Sequence, residues 1–400
     1  MPRPMNRREF LTTVGAGAAT LLVPQSARGA LSQGRSRESE PNLLFIFTDE
    51  QRQDTMDNRT AIDRTVYQEE IKPWLPPRII DCHVHVGLAE HVGPVAPERV
   101  KAHWAMEVAS QQSWQQLRDN YQTLFPEQQV SVLAFGAVYR EVDIERENAY
   151  VHAGALDPQN RAKALCVTRP EWDAAVVRDA MAKGFLGIKP YPDLALKDTE
   201  EISIYEFLPR EHLAALNGLS GVLMLHLPRA GRLGDPDNIR EVLEIADAYP
   251  SVKLILPHIG RAYCLPTVQR GLPHFADRPN VYFDISANLN ADVFEFALET
   301  VGPHRLLFGS DLPVTMMRGV REHVGEKYIN YTDGPYSWNV NRKSPEEEAR
   351  YTYYLYEELR AMIAALGRVG LGVAAMEQIC YSNGAKMLGL SDKTTKAQRH

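Results

Sequence analysis

Two histidines one residue apart, His83 and His85, close the run Ile79-Ile80-Asp81-Cys82-His83-Val84-His85-Val86-Gly87. On a strand the side-chain period is two, so both imidazoles point to one face, a spacing that suits a divalent cation. Later apolar runs also end in residues of ligand type. Lys189 ends Leu186-Gly187-Ile188-Lys189, and His226 ends Val222-Leu223-Met224-Leu225-His226. His258 ends Leu254-Ile255-Leu256-Pro257-His258, and Asp311 ends Leu306-Leu307-Phe308-Gly309-Ser310-Asp311. Each alone has an ordinary reading: a histidine after a strand is often a satisfied core residue, and an aspartate there is often a helix N-cap. Together, four histidines, a lysine and an aspartate at the ends of apolar runs form a metal-ligand inventory. Asp81 is expected to share the inward face of the first run as a hydrogen-bonded support.

Such residues act together only if a scaffold gathers the run ends. From Pro77 the chain alternates amphipathic segments with eight short apolar runs, at 78–86, 130–138, 164–168, 186–191, 222–227, 252–259, 281–287 and 306–312. Most runs are apolar on both alternating faces, as strands covered on both sides must be. Segments 171–183, 236–248 and 291–300 carry apolar residues at helical spacing. The pattern predicts an α/β fold, a (β/α)8 TIM barrel over residues 78–390, with its site where strands end and loops begin. No Gly-x-Gly-x-x-Gly follows a strand, which argues against a dinucleotide-binding doubly wound sheet. Two connections are long. Residues 87–129 carry His91, His103, Trp104 and Trp114, and residues 313–344 carry Tyr328, Tyr331, Tyr336 and Trp338. Loops of this length after strands 1 and 8 are expected to line or cover the site. Helical segments 344–366 and 372–388 follow.

The His-x-His after the first strand, single histidines after the fifth and sixth and an aspartate after the eighth resemble the amidohydrolase superfamily. Ile80-Asp81-Cys82-His83-Val84-His85, Gly187-Ile188-Lys189, Pro257-His258-Ile259-Gly260 and Phe308-Gly309-Ser310-Asp311 resemble its amidohydrolase-related group, which includes aminocarboxymuconate-semialdehyde decarboxylase. Residues 379–390 resemble the closing helix of that group. The resemblance implies one divalent ion, Zn2+ ahead of Mn2+, held by His83, His85, His226 and Asp311. It makes His258 the acid/base and substrate contact beside an activated water, whose proton Asp311 accepts. Zinc lowers the pKa of a bound water from about 15.7 to about 7. Lys189 is either a carbamylated bridge to a second ion or a cation for a substrate anion, the single-ion arrangement being the one the group implies. Arg140, Arg169, Arg229 and Arg261, each just after a strand, are candidates for substrate anions, and Tyr191 for a substrate hydrogen bond. The expected reaction is hydrolysis of a small lactone, ester or amide. Non-oxidative decarboxylation of a small acid on the same metal site is the alternative. A barrel that only binds ligand is disfavoured by the complete ligand set.

The chain has 400 residues, 44% hydrophobic, and a net charge of −7 with no basic block beyond its start. Nothing in this balance recommends a nucleic-acid partner, and no apolar run reaches the roughly 18 residues of a membrane span. A small-molecule substrate is the expected partner, and a homodimer the assembly considered. Residues 1–30 resemble a twin-arginine export signal, with Arg7-Arg8 ahead of a Gly/Ala-rich run and Ala27-Arg28-Gly29 at the cleavage site. An exported, extracytoplasmic protein is expected. Cys82, Cys166, Cys264 and Cys380 read as buried residues rather than a disulfide framework. Residues 31–77 read as a poorly packed leader. Within it, residues 41–52 resemble the first strand of a type I sulfatase. That nucleophile motif is missing: Cys264-Leu265-Pro266-Thr267-Val268 has valine where arginine is required. Residues 391–400 read as a polar tail.

Overall fold

The computed structural model describes residues 59–109, 111–195, 197 and 201–390. The export signal, the sulfatase-like run and the polar tail lie outside the described residues. Eight strands hydrogen-bond in sequence order, every pairing between neighbours parallel. They are β1 (Arg78–His85), β2 (Gln129–Phe135), β3 (Ala162–Val167), β4 (Gly187–Lys189), β5 (Val222–Met224), β6 (Lys253–Leu256), β7 (Val281–Asp284) and β8 (Leu306–Leu307). The chain after β8 returns to β1. Phe308 O accepts from Cys82 N at 2.8 Å, His83 O from Asp311 N at 2.9 Å and Leu312 O from His85 N at 3.0 Å. The sheet is the barrel that the eight apolar runs predict.

One principal helix follows each strand: α1 (Trp114–Leu124), α2 (Ile144–Leu156), α3 (Ala175–Lys183), α4 (Arg210–Gly218), α5 (Pro236–Ala248), α6 (Leu265–Gly271), α7 (Ala291–Val301) and α8 (Tyr354–Arg368). Local chemistry starts several of them. Ser113 and Gln116 form a capping box at α1, Asp235 accepts from the amides of Asp237 and Asn238 at α5, and Asn290 caps α7. The doubly apolar strands fill two layers. Ile80, Cys82, Leu133, Leu165, Met224 and Ile255 pack inside the barrel. Ile79, Val132, Leu223 and Leu254 pack against Leu117, Val177, Leu213, Val242 and Phe294 of the helices. All four cysteines are free and buried.

The structure differs from expectation in three places. Residues 59–77 are not a poorly packed leader: Tyr67 and Ile71 are fully buried in the main apolar core. Asp63 is buried too, and accepts from Thr60 and Thr352 and pairs with Arg318. The physical reason is that the apolar positions Val66, Tyr67 and Ile71 cover the barrel beside Tyr356 of α8, 6.2 Å ring to ring. The loop after β8 also contains regular structure, an antiparallel hairpin of β9 (Gly319–Val324) and β10 (Lys327–Thr332). Its signal was present as two β-prone runs around Gly325, whose φ is +59°. The helix expected over 344–366 is split into Pro345–Glu348 and α8.

Candidate metal centre

The geometry of β1 is set by an irregularity. Its register with β2 shifts between Asp81 and Val84, so one extra residue is accommodated there. Ile80 and Cys82 face the barrel interior while Ile79 and Val84 face the helices. The extra residue lets His83 and His85 both look into the mouth, with ring centroids 5.5 Å apart. It also changes the parity for Asp81, correcting the expectation of a shared inward face: its carboxylate accepts from Tyr121 Oη on α1 at 2.8 Å. Asp81 also accepts from the amides of Ser310 (2.9 Å) and His83 (3.1 Å), tying β1 to the end of β8. Burial pushes its pKa up to about 7 against these donors. Gly309 is required where the two strands approach, because a Cβ there would lie 2.8 Å from His83 Cβ.

His83, His258 and Asp311 each offer one ligand atom, and these atoms lie within 4.8 Å of one another. Asp311 Oδ1 lies 3.4 Å from Nε2 of both His83 and His85. The other ring nitrogens are fixed from behind. His83 Nδ1 meets Asp284 Oδ2 at 2.9 Å, and a carboxylate only accepts, so Nδ1 carries the proton and Nε2 presents its lone pair. His258 Nδ1 meets the Ser286 carbonyl at 2.9 Å, with the same consequence. Asp284 Oδ1 accepts from His258 N at 2.9 Å and from Ser286 Oγ at 2.5 Å, so one carboxylate orients both imidazoles.

His258 reaches the cluster through an unusual backbone. His258, Ile259 and Gly260 have φ/ψ of 56/36, 50/48 and 63/33, and Arg261 has φ 63. A left-handed turn costs about 1–2 kcal/mol per non-glycine residue, so tertiary contacts must hold it. They do: Ile259 and Ala262 are fully buried, and Arg261 Nη1 donates to Leu227 O at 2.8 Å.

Burial sets the electrostatics. It raises the pKa of Asp311, yet the His85 hydrogen bond and the charges of His83 and His258 override it, holding the carboxylate far below its usual range. Asp284, likewise opposed by burial, is held at about 2 by His83. Burial pulls His258 down to about 4 and Lys189 down to about 8, with Asp284 and Asp311 opposing the latter. Lys189 is 1% exposed and has no ion pair among the described residues, only the rings of Phe135 at 5.0 Å and Tyr191 at 5.6 Å. The pocket over this cluster measures about 300 Å3 and is walled by Trp104, Tyr139, Tyr191, Tyr263 and Tyr328.

The model of the amidohydrolase family matches residues 80–390. The chain belongs to the amidohydrolase family. Among solved structures, a Burkholderia multivorans amidohydrolase with bound zinc is 14% identical at a TM-score of 0.51, over 78% of this chain and 99% of that one. The 5-carboxyvanillate decarboxylase of Novosphingobium aromaticivorans with bound manganese is 14% identical at 0.51, over 78% and 97%. A 2,6-dihydroxybenzoate decarboxylase with 2,6-dihydroxybenzoate is 14% identical at 0.50, over 79% and 100%. No curated protein matches the chain. The protein is an amidohydrolase-family enzyme on a (β/α)8 barrel.

The residues present fit a divalent ion. Two inward-facing imidazoles and an anionic carboxylate converge, and the buried His226 Nδ1 has no hydrogen-bond partner among the described residues. His258 stands with His83 and Asp311 in the tight triple, and His85 of the expected ligand set lies beside it, its Nε2 3.4 Å from Asp311 Oδ1. His226 lies at its border, 5.7 Å from His258 ring to ring and 4.8 Å from Tyr191. The left-handed turn accounts for His258.

The candidate arginines separate. Arg261 and Arg140 line cavities at the mouth. Arg229 is engaged by Glu201, Asp235 and Asp237, and Arg169 reaches toward the carbonyls of Arg140 and Val142, so neither faces the metal pocket. Sequence reading missed Asp284 and Ser286, because both lie inside the seventh apolar run of 281–287, whose strand ends at Asp284. Nothing local marked Arg232 or Arg321.

Proposed function

We propose that the protein is a metal-dependent hydrolase, with Zn2+ as its ion, acting on a small lactone, ester or amide that carries a carboxylate. The observation that carries this is the convergence of His83, His258 and Asp311 beside the buried Lys189, which has no ion pair among the described residues. His83, His258 and Asp311, with His85 and His226 at their border, would hold the ion, which would supply Lewis acidity and lower the pKa of a water. Asp284 and Ser286 keep the imidazole tautomers fixed, so the lone pairs point inward before substrate arrives. Asp311, anionic throughout the working range, orients the attacking water by accepting its hydrogen. Lys189 binds the substrate carboxylate or the oxyanion that develops during attack. The aromatic walls exclude bulk water and strengthen both interactions.

Decarboxylation of an aromatic acid is the second reading. The specific observation favouring it is the ring-lined pocket, whose Tyr139, Tyr191, Tyr263 and Tyr328 suit a flat aryl substrate. Decarboxylases of hydroxylated or methoxylated benzoic acids also occur among the similar structures. The test is a screen of the Zn2+- and Mn2+-loaded protein against lactones, esters, amides and aromatic acids. Release of CO2 without uptake of water moves the assignment to the second reading. His83→Ala and Asp311→Asn are each expected to lower turnover by about 100-fold or more, with a parallel loss of bound metal. Full turnover and native metal load in both variants means that the site lies elsewhere.

A further inference from the structure

A second cavity of about 650 Å3 opens beside the metal pocket. The two share His103, Tyr191, His226 and Arg261 as a common wall, so one small molecule can reach both. Among the described residues, the charged lining of the second cavity is Arg99, Arg140, Lys197, Arg232, Arg261 and the single carboxylate of Asp193. These cations differ in what they already hold. Arg99 is tied to Glu141 and Asp193, Arg140 to Asp193, and Lys197 to Glu206. Such pairs are spent on structure. Among the described residues Arg261 donates to the carbonyls of Leu227 and Pro228, and Arg232 lies 5.2 Å over the rings of both Tyr263 and Tyr328. Neither guanidinium has a carboxylate in ion-pair range among the described residues.

Both also sit on left-handed backbone, with φ of +58° at Arg232 and +63° at Arg261. Non-glycine residues held this way cluster at ligand clamps, because surrounding structure must impose the conformation. A solvated arginine on a mobile rim needs no such constraint. The tyrosine pair restricts Arg232 further. A guanidinium attracted to two ring faces is held in place by them, and a guanidinium can meet a carboxylate in a two-pronged contact.

We infer that the second cavity is an outer subsite for a second carboxylate of the substrate. The substrate is then a small dianion, one charged end beside Lys189 and the other between Arg232 and Arg261. The link to turnover rests on the hydrolase reading above; the binding claim does not.

The test uses the full-length Zn2+-loaded protein and titration calorimetry with three probes: benzoate, isophthalate and terephthalate. They share a ring and differ in the number and angle of carboxylates. At least one dicarboxylate is expected to bind ten times more tightly than benzoate. Arg232→Gln is expected to abolish that advantage while leaving the benzoate affinity within twofold, with unchanged thermal unfolding. Equal affinity of all three probes for the wild-type protein overturns the inference. So does an Arg232→Gln variant that keeps the dicarboxylate advantage or weakens benzoate as strongly as the dicarboxylates. The two proposals fail separately. A dicarboxylate preference that depends on Arg232, without hydrolysis of any lactone, ester or amide, keeps the subsite and removes the hydrolase reading. Hydrolysis of monoanionic lactones without a dicarboxylate preference does the reverse.

Discussion

Asp284 controls two imidazoles at once, and a substitution that keeps its shape separates charge from volume. Asp284→Asn retains the side-chain size but can donate where the carboxylate only accepts, which upsets the tautomer of His83. Metal affinity is expected to fall about 10–100-fold, the usual effect of losing a carboxylate behind a ligand histidine, measured by competition with a chelating dye. Lys189 gives a pH test. Burial lowers its pKa to about 8, so it carries its charge below that pH and loses it above. Benzoate affinity is therefore expected to fall as pH rises through about 8, by roughly tenfold if the ammonium is the main anion contact. In Lys189→Met the affinity is expected to be weak at every pH and flat across that window. A wild-type profile that is equally flat would show that Lys189 does not hold the anion.

The β9–β10 hairpin supports the site through one side chain. Arg321 on β9 donates to Ala287 O at 2.6 Å, and Glu358 on α8 accepts from Ala287 N at 2.8 Å. Ala287 has φ +52° and follows Ser286, whose carbonyl orients His258. A left-handed alanine is held on both sides, by an insertion on one and a barrel helix on the other. Arg321 also lies over Tyr263 at 4.9 Å and Tyr328 at 4.5 Å. Arg321→Gln is expected to cost about 2–3 kcal/mol in urea unfolding, because a charged donor and its ring contacts are lost from a buried position. Metal affinity is expected to weaken with it, and Arg321→Lys to restore part of both. Unchanged metal affinity in the glutamine variant would confine the hairpin to a purely stabilising part.

The packed body of the molecule begins upstream of the first barrel strand. Tyr67 and Ile71 are fully buried, and each such side chain contributes about 1.5–3 kcal/mol when removed from water. Asp63 joins this segment to Arg318 and Thr352 across the barrel. A chain lacking residues 1–77 is expected to unfold about 10 °C or more below one lacking residues 1–58, or to be insoluble. Scanning calorimetry of the two truncations decides it. Equal midpoints would mean that the segment adds nothing to the barrel.

The sequence by itself determined the barrel, because strands covered on both faces must be apolar on both, and eight such runs alternate with helical spacing. It determined the mouth inventory as well: His83, His85, Lys189, His226, His258 and Asp311 all follow apolar runs, and all line one pocket. Tertiary structure decided what depends on contacts between distant segments. The irregular pairing of β1 with β2 turned Asp81 toward Tyr121, which no count of period-two positions reveals. The left-handed turn after β6 placed His258 in the tight triple, and it persists only because β7 and the loop after β5 hold it. Arg229 and Arg261 look alike as residues after strands, yet one is neutralised by acids of neighbouring turns and the other faces the cavity. Charge pairing is a property of the folded neighbourhood, so composition and spacing had no means of separating them.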